Sequence, residues 1–493
     1  MSPPSISPMS ADSDPGTGSL EDALSAVLAP VLGPTVRISG LRRMPGGASR
    51  ETWAFEAAST AKGSSGAEAT VSRSLVLRRD PPGAPSQGLA LEAELLAAAE
   101  QAGVPVPRPI ATGTAGGPLE SAFVVMEHVE GETIPRRILR RVRDEGTGEA
   151  LADACGRVLA ALHAIPPASV RGLPGGDALE QLRAVLDHLG EPHPVLELGL
   201  RQLGSTRPPR RAEVVVHGDF RNGNLIVGDD GIRAVLDWEL AHRGDPVEDL
   251  GWLCARAWRF GSPLPVGGFG TLDALLAAYE QASGASVDRE ALRWWEAVAA
   301  LRWGVICMVQ AHTHLSGAAR SVELAAIGRR TCEAEWDLLE VLDALAGEPG
   351  DPPVAPPAEA AGTGPAPGCG QADPTPDIPH DRPTAPELLE AVEEFLRTDV
   401  LGASEGRAGF LVRVAANVVA MVARQLVLGP THVAAHRRRL QDLGVQDDAE
   451  LAASIRGGAF DRRLAELRRV LRQAVSDKLA VANPGYAVDR ETS

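Results

Sequence analysis

The segment VVVHGDFRNGNLIV (residues 214–227) is followed by AVLDWELAHRGDPVEDL (residues 234–250), and these two pieces identify the architecture of the chain. Each contains a short apolar run rich in β-branched residues, which is typical of a buried strand. Three polar residues, Asp219, Asn224 and Asp237, stand where these runs end. The sequence therefore predicts strand ends that carry a carboxylate, an amide and a second carboxylate.

The types and spacing of these three residues suit phosphoryl transfer. Asp219 can accept the proton of a substrate hydroxyl or orient that hydroxyl for in-line attack. The side-chain oxygen of Asn224 can hold a magnesium ion that bridges phosphates, and Asp237 can supply a carboxylate to the same ion, because hard oxygen ligands suit Mg²⁺. The alternative is that HGD and DWE are turn residues of a hairpin. Both motifs at this separation favour the catalytic interpretation.

The pattern HGDxxxxN, followed by LDWE and GDPxxDL, resembles the aminoglycoside phosphotransferase/choline kinase-like superfamily. The variant VLDWELAHRGDPVEDLGW is similar to the branch that includes phosphotransferase domains fused to, or encoded near, acyl-CoA dehydrogenases. The resemblance covers about residues 20–345. It implies an α+β, bilobal protein-kinase-like fold, with Asp219 as catalytic base, Asn224 and Asp237 as magnesium ligands, and His217 as a mainly structural residue.

A glycine-containing segment, MPGGASRET at residues 44–52, lies between two predicted strands. Its glycines allow the backbone to approach phosphates, as in the glycine-rich loop of a kinase. A simple hairpin turn is the alternative, and the position before the strand SLVLRR favours phosphate binding. Gly46, Gly47 and Ser49 are the predicted nucleotide-binding residues of this loop.

A kinase also needs a cation on its third strand to hold the α- and β-phosphates. The chain has only two lysines, Lys62 and Lys478, and neither is placed for this role. Arg78 in VLRRD is the remaining candidate, since Arg79 points to the opposite face of the strand. The family register implies Glu92 on the following helix as its partner, with Glu94 as the alternative that cannot share the same helical face.

Two further sites follow from comparison with kinases. Arg221 lies two residues after Asp219, where protein kinases place a lysine that contacts the transferred phosphate, and a bidentate arginine can serve the same end. A solvent-facing arginine on a turn is the alternative. The segment 124–129 resembles the hinge between the lobes, so Glu127 and His128 are predicted to contact the adenine through their backbone.

The chain is predicted to divide into a disordered leader, a small β-rich N-lobe, a helical C-lobe, a Pro-rich disordered linker and a separate all-α accessory domain, at residues 1–20, 21–131, 132–346, 347–383 and 384–488. Within the C-lobe, residues 214–216 and 225–236 are predicted to form a strand pair. Residues 61–72 are predicted as a polar loop. The accessory domain is predicted to contain helices at 386–400, 404–428, 431–457 and 460–482, with a capping box from Thr384 to Glu387.

Charge and composition argue against several classes of binding partner and indicate the expected location of the protein. The net charge of −17 argues against nonspecific nucleic-acid binding. The longest apolar run, residues 414–423, is too short to span a bilayer, so no membrane association is predicted. Five cysteines without CxxC spacing are predicted to be free thiols, and a polar N-terminus lacks the pattern of a signal peptide, so the expected location is cytoplasmic. The accessory domain is predicted to mediate self-association or to bind a protein partner.

These inferences combine into one predicted activity. The chain is predicted to use ATP and Mg²⁺ to phosphorylate a hydroxyl of a small molecule, and the family variant points to a hydroxyacyl-CoA or a related metabolite. An aminoglycoside- or choline-type kinase is the alternative substrate class. A nucleotide-binding pseudokinase or scaffold is the alternative from a different functional class, and the missing lysine is its support.

Overall fold

The computed structural model describes residues 17–44, 50–62, 68–81, 88–347 and 384–487. The predicted nucleotide-binding residues Gly46, Gly47 and Ser49 lie outside the described residues, and so do residues 1–16 of the predicted leader and residues 348–383 of the predicted linker. Residues 17–20 were assigned to the leader, and this is wrong, because they form the first turn of a helix.

An antiparallel five-stranded sheet forms the N-terminal part of the fold, in the order β1-β2-β3-β5-β4. Its elements are α1 (Thr17–Leu32), β1 (Arg37–Arg43), β2 (Glu51–Lys62), β3 (Glu68–Arg79), α2 (Leu89–Gln101), β4 (Pro109–Gly113) and β5 (Phe123–Glu127). Residues 61–62 of β2 and 68–72 of β3 are strand, so the prediction of a polar loop is wrong for these residues.

The helix α1 belongs to the core of this sheet. Leu24 and Leu28 are fully buried and pack in one cluster with Leu75 and Leu77 of β3 and Val125 of β5. Leucines spaced by four residues share one face of a helix, and burying them against a sheet stabilises both elements. Leu20 lies four residues before Leu24 in the same cluster, and its place in this spacing is the feature that the prediction of a leader overlooked.

Helices dominate the next two hundred residues. In chain order the elements are α3 (Pro135–Glu145), α4 (Gly148–His163), α5 (Ala178–Leu189), α6 (Pro194–Ser205), β6 (Val214–Val216), β7 (Leu225–Gly228), β8 (Gly231–Val235), β9 (His242–Gly244), α7 (Val247–Cys254), α8 (Leu272–Ser283), α9 (Arg289–Leu315), α10 (Val322–Gly328) and α11 (Thr331–Ala346). β7 and β8 form a hairpin, whereas β6 pairs with β9. The predicted pairing of residues 214–216 with 225–236 is therefore wrong.

All secondary-structure elements from residue 385 to residue 482 are helices. It contains α12 (Ala385–Phe395), a π-helical turn (Leu396–Val400), α13 (Gly406–Leu443), α14 (Asp448–Arg456) and α15 (Leu464–Ala482). The capping box from Thr384 to Glu387 is confirmed. The predicted break between residues 428 and 431 is wrong, because α13 continues through the exposed Pro430. A β-rich part followed by helices and an all-helical end confirms the predicted α+β class.

The described residues form two compact units. The first contains residues up to 174 together with 213–244 and 274–284, so it holds the five-stranded sheet and strands β6 to β9. The second contains residues 175–212, 245–273 and 285 onwards, including the C-terminal helices. The predicted boundaries of the lobes stay predictions.

Candidate active site

The turn after β6 is built to present Asp219. Gly218 has φ 75°, and a Cβ atom at this position would lie 2.5 Å from the carbonyl oxygen of Leu240. Only glycine combines this left-handed conformation with so close a backbone approach. The chain therefore bends immediately before Asp219.

His217 stabilises the same turn through both nitrogens of its ring. Its ring is fully buried and lies 4.7 Å from the ring of Trp238. The backbone N–H of Asp219 donates to Nδ1 of His217 at 3.1 Å, and Nε2 lies 3.1 Å from the carbonyl oxygen of Leu236. With Nδ1 accepting, Nε2 carries the proton and donates to Leu236. His217 thus joins the turn of Asp219 to the segment that precedes Asp237.

Two side chains hold the carboxylate of Asp219, one on each oxygen. Nε of Arg221 donates to Oδ1 at 2.9 Å, and Nδ2 of Asn224 donates to Oδ2 at 2.5 Å and to the backbone carbonyl of Asp219 at 3.0 Å. Because the amide nitrogen of Asn224 is directed to Asp219, its amide oxygen is the atom left to face a cation. The Asp219 carboxylate is fixed in orientation before any substrate arrives.

Asp237 occupies a strained position between β8 and a short 3₁₀ turn. Its φ and ψ are 65° and 69°, which places a non-glycine residue in the left-handed region. Such conformations cost free energy and concentrate at functional sites. The backbone N–H of Leu236 donates to the carbonyl oxygen of Asn224 at 2.8 Å, so the segments of Asp237 and Asn224 are held side by side.

A buried carboxylate links the sheet to this region. Glu92 of α2 is 3% exposed and accepts hydrogen bonds from Arg78 of β3 and from Arg50, the latter at 2.6 Å. Nη2 of Arg78 lies 3.5 Å from Oδ1 of Asp237. Burial raises the pKa of Glu92, and the charges of Arg78 and Arg50 oppose that rise. Arg78 thus connects the helix α2 to the predicted metal ligand Asp237.

The comparison with protein families agrees with this arrangement. A model described as the phosphotransferase enzyme family matches residues 40–295, which is more than half of the chain. The chain belongs to this family. A second model, described as a domain of unknown function (DUF6285), matches residues 402–486. The predicted family is confirmed, and the phosphotransferase match includes every predicted site residue.

The curated relatives of this phosphotransferase are longer proteins, and the chain matches one segment of each. Acyl-CoA dehydrogenase family member 10 of Mus musculus is 28% identical over 39% of this chain and 19% of its own length. Acyl-CoA dehydrogenase family member 11 of Homo sapiens is 30% identical over 36% of this chain and 24% of its own length. The chain therefore spans about a quarter or less of the length of the curated relatives it matches.

A solved structure shows the fold of this family. A protein of Ralstonia eutropha JMP134, assigned as an aminoglycoside phosphotransferase, superposes with a TM-score of 0.52 at 22% identity, over 66% of this chain and 98% of that chain. The likeness concerns the fold and confirms the predicted protein-kinase-like architecture.

The structure distinguishes between the two candidate glutamates of α2. Glu92 faces Arg78, whereas Glu94 accepts hydrogen bonds from the backbone N–H and the guanidinium of Arg171. Arg79 pairs with Glu51 at 2.8 Å, away from Glu92. The alternation of side chains along β3 thus separates Arg78 from Arg79, as the strand period requires.

Two charged residues of the phosphotransferase site were missed from the sequence. Arg50 is 6% exposed, and besides Glu92 it lies 3.5 Å from Asp80 and 3.8 Å from Glu239. Burial raises the pKa of Glu239, and the nearby Asp237 adds to the rise. A cation directly after the glycine segment, in a chain with two lysines, is the signal that could have identified Arg50.

The predicted hinge residues lie at the end of β5. The backbone N–H of Glu127 donates to the carbonyl of Arg108 and that of His128 to the carbonyl of Ser74, both at 2.9 Å. An open, polar cavity of about 350 Å³ lies beside them, lined by Arg73, Ser74, Glu127, His128 and Glu130. Both N–H groups are thus already paired within the protein, and adenine contact at these residues stays a prediction.

The site offers oxygen ligands for a magnesium ion. Among the described residues, no three His, Cys, Asp or Glu side chains are grouped to hold a metal by themselves. Magnesium, however, usually keeps waters and phosphate oxygens and takes only one or two protein ligands. The amide oxygen of Asn224 and the carboxylate of Asp237 fit that requirement, and the ion would supply positive charge to neutralise phosphate oxygens.

Proposed function

We propose that the protein is an ATP- and Mg²⁺-dependent kinase that phosphorylates a hydroxyl of a small molecule. The observation that carries the proposal is the carboxylate of Asp219, held on both oxygens by Arg221 and Asn224. A carboxylate fixed in this way, in a member of a phosphotransferase family, suits the alignment and deprotonation of an attacking hydroxyl.

The transfer step follows from these residues. The substrate hydroxyl oxygen forms a bond to the γ-phosphorus of ATP while the bond between that phosphorus and the β–γ bridging oxygen breaks, and ADP leaves. The hydroxyl proton passes to Asp219. Arg221 offers its guanidinium to the transferred phosphoryl group, and Asn224 with Asp237 would hold the magnesium ion.

The nucleotide contacts proposed for the sheet follow the same logic. Arg78 would hold the α- and β-phosphates in place of the usual lysine, with Glu92 orienting its guanidinium. The segment of Gly46, Gly47 and Ser49 would cover the phosphates. A planar guanidinium can contact Glu92 and a phosphate through different nitrogens, so the arginine does not by itself favour a pseudokinase.

We further propose a hydroxyacyl-CoA or a related metabolite as the acceptor. The support is that the matched segments belong to relatives named as acyl-CoA dehydrogenase family members. The second candidate is an aminoglycoside-type acceptor. Its support is weaker, because the Ralstonia protein that is assigned as an aminoglycoside phosphotransferase shares only the fold with this chain.

Replacement of Asp219 tests the proposal. Asp219→Asn keeps the shape of the side chain but removes the proton acceptor, so kcat for phosphoryl transfer should fall by at least ~100-fold while the Kd for MgATP changes little. Transfer from labelled ATP is measured over a panel of hydroxyacyl-CoAs, aminoglycosides and choline.

Glu94→Gln is the matched control, because Glu94 lies on α2 and contacts Arg171 rather than the site. It should leave kcat unchanged. Full activity of Asp219→Asn would exclude Asp219 as the base. Binding of MgATP by the unaltered protein, with no transfer to any acceptor, would support the scaffold instead.

A further inference from the structure

The helix α3 carries an exposed basic stripe. Arg136, Arg140 and Arg143 are exposed, and their spacing of four and three residues places them on one face of the helix. The buried Ile138 and Val142 lie on the other side of the helix. Because that apolar side packs against the protein, the basic stripe faces the solvent.

The five arginines of α3 differ in what they contact. Three of them already lie close to an oxygen of the protein, namely Arg137 (Glu132 at 3.5 Å), Arg141 (the Gly228 carbonyl at 2.9 Å) and Arg143 (Asp144 at 3.4 Å). Among the residues that the structure describes, the guanidinium groups of Arg136 and Arg140 have neither an ion pair nor a hydrogen bond. These two groups are therefore available to a ligand.

The pair of Arg136 and Arg140 is unfavourable for the helix that carries it. Like charges four residues apart repel each other, and a cation in the first turn of a helix opposes the positive end of the helix dipole. The helix α3, which the structure describes throughout, has no acidic residue in its first turn to offset this cost. Residues that act against local stability without a compensating contact indicate a functional role.

The start of α3 is fixed to strand β7. Glu132, just before the helix, exchanges two backbone hydrogen bonds with Val227, at 2.9 and 3.0 Å. A Cβ atom at Gly131 would lie 2.5 Å from Cγ2 of Ile226, so the chain passes closely over β7 before the helix begins. Since β7 follows Asn224 directly, α3 is held in place relative to this proposed metal ligand.

The first residue of α3 also lies beside the arginine that is proposed to contact the transferred phosphoryl group. A Cβ atom at Gly223 would lie 3.3 Å from Cγ of Pro135 and 2.8 Å from Nη1 of Arg221. Arg136 follows Pro135 directly, and Arg140 lies one helical turn, about 6 Å, further along the helix. The basic stripe therefore begins next to the proposed site of phosphoryl transfer and leads away from it.

The chemistry of arginine selects a ligand that carries phosphate. Two guanidinium groups one turn apart can hold the oxygens of a diphosphate or a phosphomonoester through charge-assisted hydrogen bonds. The phosphates of ATP already have proposed partners in Arg78, Arg221 and the magnesium ion, so a further anion belongs to the acceptor. In a chain of net charge −17, two arginines are too few to hold a nucleic acid.

We propose that Arg136 and Arg140 form a subsite for phosphate groups of the acceptor, at the end remote from the hydroxyl that is phosphorylated. The subsite rests on the proposed function, in which the acceptor is a hydroxyacyl-CoA, because coenzyme A carries a diphosphate and a 3′-phosphate far from its acyl chain. Binding at these phosphates holds the acyl hydroxyl next to Asp219. A cationic aminoglycoside gains nothing from this subsite.

Calorimetric titration of the full-length protein with coenzyme A tests the subsite without requiring turnover. The double variant Arg136→Gln, Arg140→Gln should raise the Kd for coenzyme A by at least ~10-fold, because the charge-assisted hydrogen bonds to phosphate are lost. The Kd for pantetheine, which has no phosphate, should stay unchanged, and so should the Kd for MgATP. With a hydroxyacyl-CoA as acceptor, its KM should rise while kcat stays the same.

The matched control is the double variant Arg37→Gln, Arg157→Gln. It removes the same charge at exposed positions of β1 and α4, so the Kd for coenzyme A should not change. The double variant Arg136→Lys, Arg140→Lys should keep part of the affinity, because both positive charges remain. Thermal unfolding checks that each variant is folded.

An unchanged Kd for coenzyme A in the Arg136→Gln, Arg140→Gln variant would overturn the proposal, and so would a loss of affinity for MgATP alone. Phosphorylation of another hydroxyl acceptor by a protein that does not bind coenzyme A would also overturn it, although the proposed kinase activity would then stand. Binding of coenzyme A that depends on both arginines, without phosphoryl transfer to any acceptor, would support the subsite and contradict the kinase activity.

Discussion

A single buried carboxylate, Glu92, connects two arginines of the phosphotransferase site. Arg78 can contact Glu92 through Nη1 and approach Asp237 through Nη2, because its guanidinium carries donors in fixed, different directions. A lysine offers one compact charge and could not keep this geometry. An arginine on β3 can therefore share the carboxylate of Glu92 with the second cation, Arg50.

Arg50→Met should impair both stability and activity. Removing one partner of a buried ion pair leaves Glu92 with less compensation, so the free energy of unfolding should fall by ~3 kcal/mol. The kcat/KM for ATP should also fall by ~10-fold. Glu92 of α2 orients Arg78, and without Arg50 the carboxylate of Glu92 is itself less firmly held. Urea unfolding and steady-state kinetics measure the two effects.

The control for Arg50 is Arg43→Met. The Arg43 side chain is 63% exposed beside Glu51, and exposed pairs contribute at most about 1 kcal/mol. Arg50→Lys should recover part of the loss, because the charge is kept. If Arg50→Met unfolded at the same urea concentration as the unaltered protein, the stabilising role of Arg50 would be excluded, and an unchanged kcat/KM for ATP would exclude its positioning role.

The sequence predicted the contact between Arg78 and Glu92 but not the contact between Arg50 and Glu92. The first follows from the strand period of β3 and from the family register of α2. The second joins residues that are 42 apart in sequence, across two strands, and no local pattern encodes it. Local periodicity determines which face a side chain takes, whereas the identity of its partner depends on the tertiary fold.

At the scale of elements, the turn between β6 and Asp219 depends on a single glycine. Its conformation has positive φ, and the carbonyl of Leu240 lies where a Cβ atom would be. The 3₁₀ turn of Trp238–Leu240 and the Asp219 turn are therefore packed backbone to backbone. A displacement of this turn moves the carboxylate that the proposed reaction requires.

Gly218→Ala should lower kcat by ~100-fold and also lower the temperature of unfolding. The added methyl group must displace the Leu240 carbonyl or distort the turn, and misplacement of a catalytic group by about 1 Å can cost that much. Activity assays and thermal unfolding measure both effects.

Gly231→Ala separates strain from crowding. Gly231 lies in the β7–β8 turn with φ 109°, but a Cβ atom there would meet nothing within 4 Å. It should lower stability by ~1 kcal/mol, with little change in kcat. Equal loss of kcat in both variants would show that the contact with Leu240 is not what matters.

The predictions of elements from the sequence failed at the short strand β6 and at the longest helix, α13. β6 has three residues, so its pairing with β9 rather than β7 is set by the surrounding packing. Pro430 argued for a break in α13, because proline removes a backbone hydrogen bond, yet it is exposed and the helix continues. The strands β1 to β5, by contrast, carry enough local signal to be predicted.

At the scale of the whole molecule, the C-terminal region is joined to α11 inside the second unit by ion pairs and a hydrogen bond to buried carboxylates of α11. Nζ of Lys478 donates to Glu335 at 2.8 Å, and Arg472 donates to Asp343. The hydroxyl of Tyr486 donates to Asp337 at 2.7 Å. Buried charges are tolerated only when paired, so α11 and the C-terminal helices depend on one another.

Asp337 should make stability depend on pH. Burial raises the pKa of Asp337 from 3.8 to about 7, although Arg256 and Tyr486 act in the opposite direction. Between these two values the folded protein binds more protons than the unfolded chain, so the free energy of unfolding decreases as pH rises through this window. Above about 7 the loss is complete.

The variant Asp337→Asn should remove this part of the pH dependence. The free energy of unfolding of the variant minus that of the unaltered protein should therefore increase as pH rises through the same window. Urea unfolding at a series of pH values measures this difference. Asp229→Asn, at a side chain that is 94% exposed, should give parallel curves. A difference that stays constant with pH at Asp337 would contradict the raised pKa.

The paired charges between α11 and α15 also bear on how such a chain can evolve. Recombination that exchanged the region matched by the domain of unknown function would separate Lys478 and Arg472 from their carboxylates in α11, which lie outside that region. A hybrid gene would succeed only when both parents carry the same charged positions. The C-terminal helices are therefore expected to be inherited together with α11, as one heritable block.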